Sequence, residues 1–99
     1  MHLPTSPVIG RSPKQRIRVS NDCPKFATLW LEPWGEDYGM LVKDEFDVVA
    51  SEPDETFYFH VEYGPKGMKL YAEGEALQVC VYQNGELLEC GHNRREEEW

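Results

Sequence analysis

Apolar and polar side chains alternate with a period of two along most of the chain from Gln15 to Gly91, and turn residues interrupt the alternation at short intervals. This pattern is typical of strands that bury one face. It predicts strands at residues 15–20, 26–32, 38–42, 45–51, 56–63, 68–73, 76–82 and 86–90. No segment has the spacing of a long amphipathic helix. We therefore expect an all-β domain, a small antiparallel β-sandwich of about seven to eight short strands, with a small β-barrel as the alternative.

The clearest hairpin is predicted around Gly64-Pro65-Lys66-Gly67, because Pro suits the second turn position and Gly the fourth. The pairing gives one apolar face and one polar face. The apolar pairs are Val61 with Leu70 and Phe59 with Ala72, and the polar pairs are Glu62 with Lys69, His60 with Tyr71, and Tyr58 with Glu73. A slip of one residue would mix the two faces, so the side-chain pattern determines the register.

Asn84-Gly85 predicts a second hairpin with a two-residue turn. Its expected pairs are Gln83 with Glu86, Val81 with Leu88, and Val79 with Cys90. We expect five side chains to face inward, namely Leu77, Val79, Val81, Leu88 and Cys90. Cys80, Tyr82, Leu87 and Glu89 are expected on the outside. Since Cys80 and Cys90 then lie on opposite faces, a disulfide between them is excluded.

Both ends of the chain lack this alternation. Residues 1–14 contain Pro4, Pro7 and Pro13 among Ser, Gly and basic residues, which predicts a disordered basic arm. Residues 92–99 are predicted to form a flexible charged tail. The β-sandwich domain is accordingly expected at residues 15–91.

Charge is unevenly distributed. The first 18 residues hold four basic residues and no acid, whereas the rest of the chain holds all 18 acids and has a net charge of −12. An acidic body repels phosphate backbones, so we expect no nucleic-acid partner. No apolar run reaches the roughly 20 residues of a membrane span, and the N-terminus lacks the apolar core of a signal peptide. Together with an odd number of cysteines, these features favour a cytoplasmic protein with no membrane partner.

The segment Leu31-Glu32-Pro33-Trp34-Gly35-Glu36-Asp37-Tyr38 follows Val19-Ser20-Asn21-Asp22 and precedes the acidic turn Lys43-Asp44-Glu45 and the strand Phe46-Asp47-Val48-Val49-Ala50. This layout resembles a group of small, uncharacterised bacterial β-sandwich proteins with an EPWGE-type motif between two strands. The resemblance covers residues 17–90 and implies no activity. The layout is also loosely similar to β-sandwich domains of the VHL type, which bind other proteins.

The EPWGE motif is expected to form a corner. Pro33 cannot donate to a central ladder, so the preceding strand should end there, and Gly35 permits a tight turn. We expect Trp34 to fold over one end of the core as a plug. The alternative is that Trp34 is an exposed aromatic used in binding.

No catalytic site, metal site or cofactor site is predicted. Cys23 lies in Asn21-Asp22-Cys23-Pro24, a segment that predicts a turn with Asx hydrogen bonding, and no nucleophile elbow, phosphate loop or dinucleotide fingerprint occurs. The histidines are scattered at positions 2, 60 and 92, without the spacing of a metal site. These patterns favour a protein that is not an enzyme.

The remaining candidates are surface residues. The candidates for binding a partner or ligand are Trp30, Trp34, Glu36, Asp37, Tyr38, Tyr58, His60, Tyr71 and Tyr82. Aromatic side chains on an outer face are typical of protein interfaces, although they also stabilise sheets without any partner. The leading hypothesis is a non-catalytic protein-binding or assembly module, whose partner is an unidentified protein or a second copy. The alternative is a carbohydrate site at the corner, with Trp34 and Tyr38 stacking on a sugar and Glu36 and Asp37 holding its hydroxyls.

Overall fold

The computed structural model describes residues 14–95, which form eight strands and no helix. The strands are β1 (Lys14–Ser20), β2 (Ala27–Glu32), β3 (Glu36–Met40), β4 (Glu45–Ser51), β5 (Tyr58–Gly64), β6 (Gly67–Glu73), β7 (Gln78–Gln83) and β8 (Glu86–Leu87). They form two four-stranded sheets that pack together, so the predicted β-sandwich is confirmed. The expected arm lies outside the described residues, apart from Lys14 in β1.

The first sheet has the strand order β1-β4-β7-β8, and the second has the order β3-β2-β6-β5. The chain crosses between the sheets after β1, β3, β4 and β6, while three hairpins stay within one sheet. One pairing departs from the expected antiparallel arrangement, because β2 and β6 are parallel. These strands are far apart in sequence and are not joined by a hairpin, so no turn imposes an antiparallel direction on them.

Both predicted hairpin registers begin as expected. All the pairs expected between β5 and β6 are formed, from Tyr58 with Glu73 to Tyr63 with Met68, and the apolar set of this hairpin faces the core. In the other hairpin, Gln83 pairs with Glu86, and the Leu88 N–H donates to the Val81 carbonyl at 2.8 Å. Alternation and turn chemistry were therefore enough to determine these registers.

Each sheet contributes its inward side chains to one core. The buried cluster consists of Val19, Leu29, Leu31, Tyr38, Met40, Phe46, Val48, Leu70 and Val81. Partly buried side chains pack around it, among them Ile17, Phe59, Val61, Met68, Val79 and Leu88. Burial of this apolar area is the main favourable contribution to folding.

Two of the inward positions predicted for the last hairpin are wrong. Leu77 is 68% exposed because it precedes β7 in the loop, where its N–H bonds to the Ser51 carbonyl. Cys90 does not pair with Val79, since β8 ends at Leu87 and the chain then turns toward β3. All three cysteines of the chain are free thiols.

Asn21 joins the loop before β2 to the β3–β4 corner. Its side chain is buried and donates to the carbonyls of Lys25, Met40 and Leu41 at 3.0–3.2 Å. Its side-chain oxygen accepts the Cys23 N–H at 3.1 Å, which confirms the Asx turn expected here. A buried amide satisfied in this way fixes the loop conformation.

Candidate binding face

The outer face of the second sheet carries most of the predicted surface residues. Strand alternation places the side chains of Thr28, Trp30, Glu32, Asp37, Tyr58, His60, Glu62, Lys69, Tyr71 and Glu73 on this face. Their neighbours along the strands, including Leu29, Leu31 and Leu70, are fully buried in the core. Trp30 lies between Leu29 and Leu31, so alternation alone does not decide which face it occupies, and the structure places it outward.

The register aligns these side chains in rows across the four strands. One row runs Asp37, Trp30, Lys69 and Glu62, from β3 to β5. The next row contains Glu32, Tyr71 and His60. Trp30 is therefore central, with charged side chains on both sides and an aromatic pair in the adjoining row.

Tyr71 and His60 form that aromatic pair, with ring centroids 5.6 Å apart. Glu62 lies beside both, 3.4 Å from the Tyr71 hydroxyl that donates to it and 3.4 Å from His60 Nε2. Partial burial and the negative charge of Glu62 raise the pKa of Tyr71. The Tyr71 hydroxyl therefore stays a neutral hydrogen-bond donor at the surface.

Trp30 lies between two shallow depressions. One, of about 380 Å³, is lined by Trp30, Gly35, Asp37 and Arg94. The other, of about 330 Å³, lies toward the β5–β6 turn and includes Glu62 and Lys69 in its lining. A half-buried indole between two recesses can contact a partner along both sides of its ring.

The C-terminal segment, residues 90–95, covers the β3 end of this face. The Gly91 N–H donates to the Asp37 carbonyl at 2.7 Å, and the Gly39 N–H donates to the His92 carbonyl at 2.6 Å. The His92 ring packs edge-on against Phe46, with centroids 5.9 Å apart. The tail expected at residues 92–99 thus begins with residues that contact the second sheet, while residues 96–99 lie outside the described part.

Asp37 fixes this segment through its side chain. Arg94 donates to both carboxylate oxygens, at 2.8 and 2.6 Å, and the Cys90 thiol lies 3.7 Å from Oδ1. Asp37 is only 5% exposed, and the hydrogen bonds from Arg94 lower its pKa. Arg95 adds a contact over the Phe26 ring, 3.9 Å from its centroid. Asp37 therefore stays charged and paired.

The EPWGE corner differs from its predicted form. The turn does end β2 at Glu32, and the Glu32–Pro33 bond is cis. Trp34 is 53% exposed, so the expected plug of the core is wrong and the aromatic ring is exposed, as in the alternative. The core side of the corner is already filled by Tyr38, which is 4% exposed. Because the Tyr38 ring occupies the core side of the corner, no apolar opening remains there for the Trp34 ring to cover.

The carbohydrate site expected at the corner is not assembled. Tyr38 faces the core and donates from its hydroxyl to Glu36 at 2.8 Å, so its ring cannot stack on a sugar beside Trp34. Burial and the Glu36 carboxylate raise the pKa of Tyr38. Asp37 points to the opposite side and is paired with Arg94. Four residues predicted as one site therefore lie in three different surroundings.

Tyr82 also stands apart from the other candidates. It pairs with Asp47 and Leu87 on the outer face of the first sheet. The candidates on the outer face of the second sheet are therefore Trp30, Asp37, Tyr58, His60 and Tyr71, whereas Trp34, Glu36, Tyr38 and Tyr82 lie elsewhere.

Sequence reasoning missed Arg94 and Phe26. Arg94 lies 57 residues from Asp37, in a segment without periodicity. Phe26 was expected to be the first residue of a strand, yet it lies before β2, beneath Arg95. The available signal was the basic pair Arg94-Arg95 in an otherwise acidic region, which a buried carboxylate could attract.

No family model, no curated protein and no solved structure matches the chain. Within residues 14–95, no group of three or more His, Cys, Asp or Glu side chains is placed to hold a metal ion. The same residues include no helix of the length and apolar character needed to cross a membrane.

Proposed function

We propose that this chain is a non-catalytic protein-binding or assembly module that uses the outer face of the second sheet. The observation that carries the proposal is the gathering of Trp30, Tyr71, His60 and Tyr58 on one face of one sheet. Trp and Tyr are among the residues most enriched at the positions that dominate binding energy in protein interfaces.

The layout of the face supports this role. Trp30 is half-buried at the centre, while Tyr58 is 56% exposed near the edge. Charged side chains such as Glu32, Glu73 and Lys69 surround the aromatic residues. An apolar centre inside a polar rim is the usual anatomy of a protein interface.

The chemistry of the face supports binding in preference to catalysis. Its most buried carboxylate, Asp37, is engaged by Arg94 through two hydrogen bonds and is held in its charged form. A carboxylate bound in this way is poorly suited to moving protons.

We also propose a cytoplasmic location, which the three free thiols support. We propose a protein partner in preference to nucleic acid, which the net charge of −8 supports.

Site-specific photocrosslinking tests the proposal. A benzophenone side chain replaces Tyr71 on the proposed face, and in a second variant it replaces Tyr82 on the outer face of the first sheet. After irradiation in cells, we expect adducts at position 71 that disappear when Trp30→Ala is added, and none of these adducts at position 82. Equal adducts at the two positions, or none at position 71, would contradict the proposal.

A small polar ligand is a second candidate because one depression beside Trp30 combines an indole with the ion pair of Asp37 and Arg94. A sugar could stack on the indole while its hydroxyls bond to the charged groups. This site would replace the corner expected around Trp34 and Tyr38. Saccharide titrations followed by Trp fluorescence should then lose their response in Trp30→Phe and keep it in Trp34→Phe. The opposite result would eliminate this candidate.

A further inference from the structure

The strand β5 is an open edge of the second sheet. It ends the strand order of that sheet, and no residue in the range 14–95 pairs with its outer side. The edge contains no Lys and no Pro, which are common protections of exposed edges. By contrast, the β1 edge of the first sheet carries Lys14, Arg16 and Arg18, whose like charges oppose self-pairing.

The register identifies which backbone groups of β5 point outward. The two-residue turn makes Gly64 and Gly67 a hydrogen-bonded pair, so alternate residues from Gly64 backward bond to β6. The hydrogen bond from the Thr28 N–H to the Lys66 carbonyl, at 2.9 Å, confirms this alternation. It shows that the backbone groups of Lys66 point toward β2, so those of Gly67 point toward β5. The N–H and C=O groups of Phe59, Val61 and Tyr63 consequently point to the open side.

We propose that two copies of this chain associate by antiparallel pairing of their β5 strands, with a two-fold axis at Val61. This proposal deepens the assembly role above and rests on it. Val61 would pair with Val61 of the second copy, and Phe59 would pair with Tyr63 of the second copy. The outward N–H and C=O groups of all three residues are then satisfied in both copies.

Neighbouring registers are poorer. A shift of two residues in one direction places Tyr63 opposite Phe57, whose N–H already bonds to Asp54 and whose carbonyl accepts from Gln15. A shift in the other direction places Phe59 opposite Pro65, which has no N–H to donate. In the register centred on Val61, every outward group has a partner.

Side-chain chemistry favours the same register. His60 of each copy faces Glu62 of the other, on the outer face, and the two residues already interact at 3.4 Å within one chain. On the inner face, Phe59 faces Tyr63, which is 81% exposed in the single chain. Cross-strand pairs between aromatic rings, and pairs joined by a side-chain hydrogen bond, stabilise sheets. The dimer would extend the second sheet to eight strands and place both copies of the outer face side by side.

Sedimentation equilibrium of the full chain tests this dimer. The protein is measured over micromolar to millimolar concentrations. Salt at about 0.15 M limits the long-range repulsion between two acidic copies. We expect a reversible monomer–dimer equilibrium in the wild type. His60→Glu places two pairs of carboxylates opposite each other and should weaken the dimer about tenfold. Gln78→Glu, which adds the same charge at an exposed position of β7, should leave the equilibrium unchanged.

A mixing experiment with His60→Glu and Glu62→Lys chains tests the register itself. In the mixed dimer, the carboxylate introduced at position 60 of one chain faces the ammonium group introduced at position 62 of the other. The symmetry-related contact keeps the native pair of Glu62 and His60. We expect the mixed dimer to be tighter than the dimer of either variant alone, with circular dichroism confirming that both variants fold.

The outcomes separate the register, the dimer and the proposed function. If the mixed dimer binds no more tightly than the dimer of either variant alone, the register is overturned. A wild type that stays monomeric up to millimolar concentration would overturn the dimer. If position 71 still crosslinked to another protein in that case, the proposed function would stand without this inference.

Discussion

The two edges of the second sheet differ in whether another segment of the same chain covers them. At the β3 edge, residues 90–95 supply backbone partners to Asp37 and Gly39 and add the ion pair between Asp37 and Arg94. At the β5 edge, the outward groups of Phe59, Val61 and Tyr63 meet no partner within residues 14–95. One edge is therefore completed inside the molecule, and the other is available for pairing outside it.

This difference is informative because an unprotected edge strand is a hazard that folded proteins usually cover or charge. The chain covers β3 with a segment that has no strand pattern of its own, and it protects β1 with basic side chains. The aromatic strand β5 is not covered and carries no Lys or Arg, its one acidic side chain being Glu62, and it also borders the face that carries Trp30 and Tyr71. The dimer proposed above would account for this uncovered edge.

The largest effect that separates the two edges is expected from a pair of glycine substitutions. A Cβ on Gly39 would lie 2.5 Å from the Asn93 carbonyl oxygen and 2.6 Å from the Phe26 ring, whereas a Cβ on Gly64 meets no atom closer than 3.9 Å. Gly39→Ala should therefore lower the free energy of unfolding by about 2–3 kcal/mol, and Gly64→Ala should change it by less than about 0.5 kcal/mol. Urea unfolding measures both. Equal losses would show that the β3 edge is not closely covered.

A smaller effect is expected from the ion pair that secures the closed edge. Asp37→Asn removes the buried negative charge that pairs with Arg94. It should lower the free energy of unfolding by about 1–2 kcal/mol at about pH 7. Because Arg94 lowers the pKa of Asp37 below its ordinary value of 3.8, the stabilisation is complete above that value and is lost as the pH falls through the folded-state pKa. The difference between wild type and variant in urea unfolding should thus narrow below about pH 4.

Asp47 provides a matched control for that measurement. It forms a similar pair with Arg18 at 3.0 Å, but both side chains are more exposed than those of Asp37 and Arg94. Asp47→Asn should therefore cost less stability than Asp37→Asn, because solvent screens exposed pairs. An equal or larger loss in Asp47→Asn would contradict the special role given to the β3 edge.

The smallest effect is expected from Arg95, whose guanidinium lies over Phe26. Arg95→Gln removes a surface cation–π contact and should cost about 0.5 kcal/mol in urea unfolding. Arg95→Lys should recover part of that loss. A variant that loses as much stability as Gly39→Ala would mean that Arg95, and not the packing at Gly39, holds the segment.

The hairpins were predictable because their information is local. Pro65 with Gly67, and Asn84 with Gly85, determine their turns, and the strict alternation after each turn leaves one register. The Asx turn at Asn21 was likewise expected from its own segment. These features depend on residues that are close in sequence.

The candidate site was less predictable because it depends on distant contacts. Nothing near Asp37 indicates that Arg94 will pair with it, and nothing within β2 indicates that it will lie parallel to β6. Trp34 was misplaced because a corner aromatic can fold in either direction, and here Tyr38 already fills the core side. Packing between sheets, and not the local pattern, decides such positions.

Amide hydrogen exchange measured by NMR at two protein concentrations tests the central claim most directly, since it reports the two edges separately. In dilute protein, the amides of Gly39 and Gly91 should be protected, while those of Phe59, Val61 and Tyr63 should exchange rapidly. In concentrated protein, these three β5 amides should become protected and those of Gly39 and Gly91 should not change. Rapid exchange at Gly39 in dilute protein, or β5 amides that exchange equally fast at both concentrations, would contradict the account.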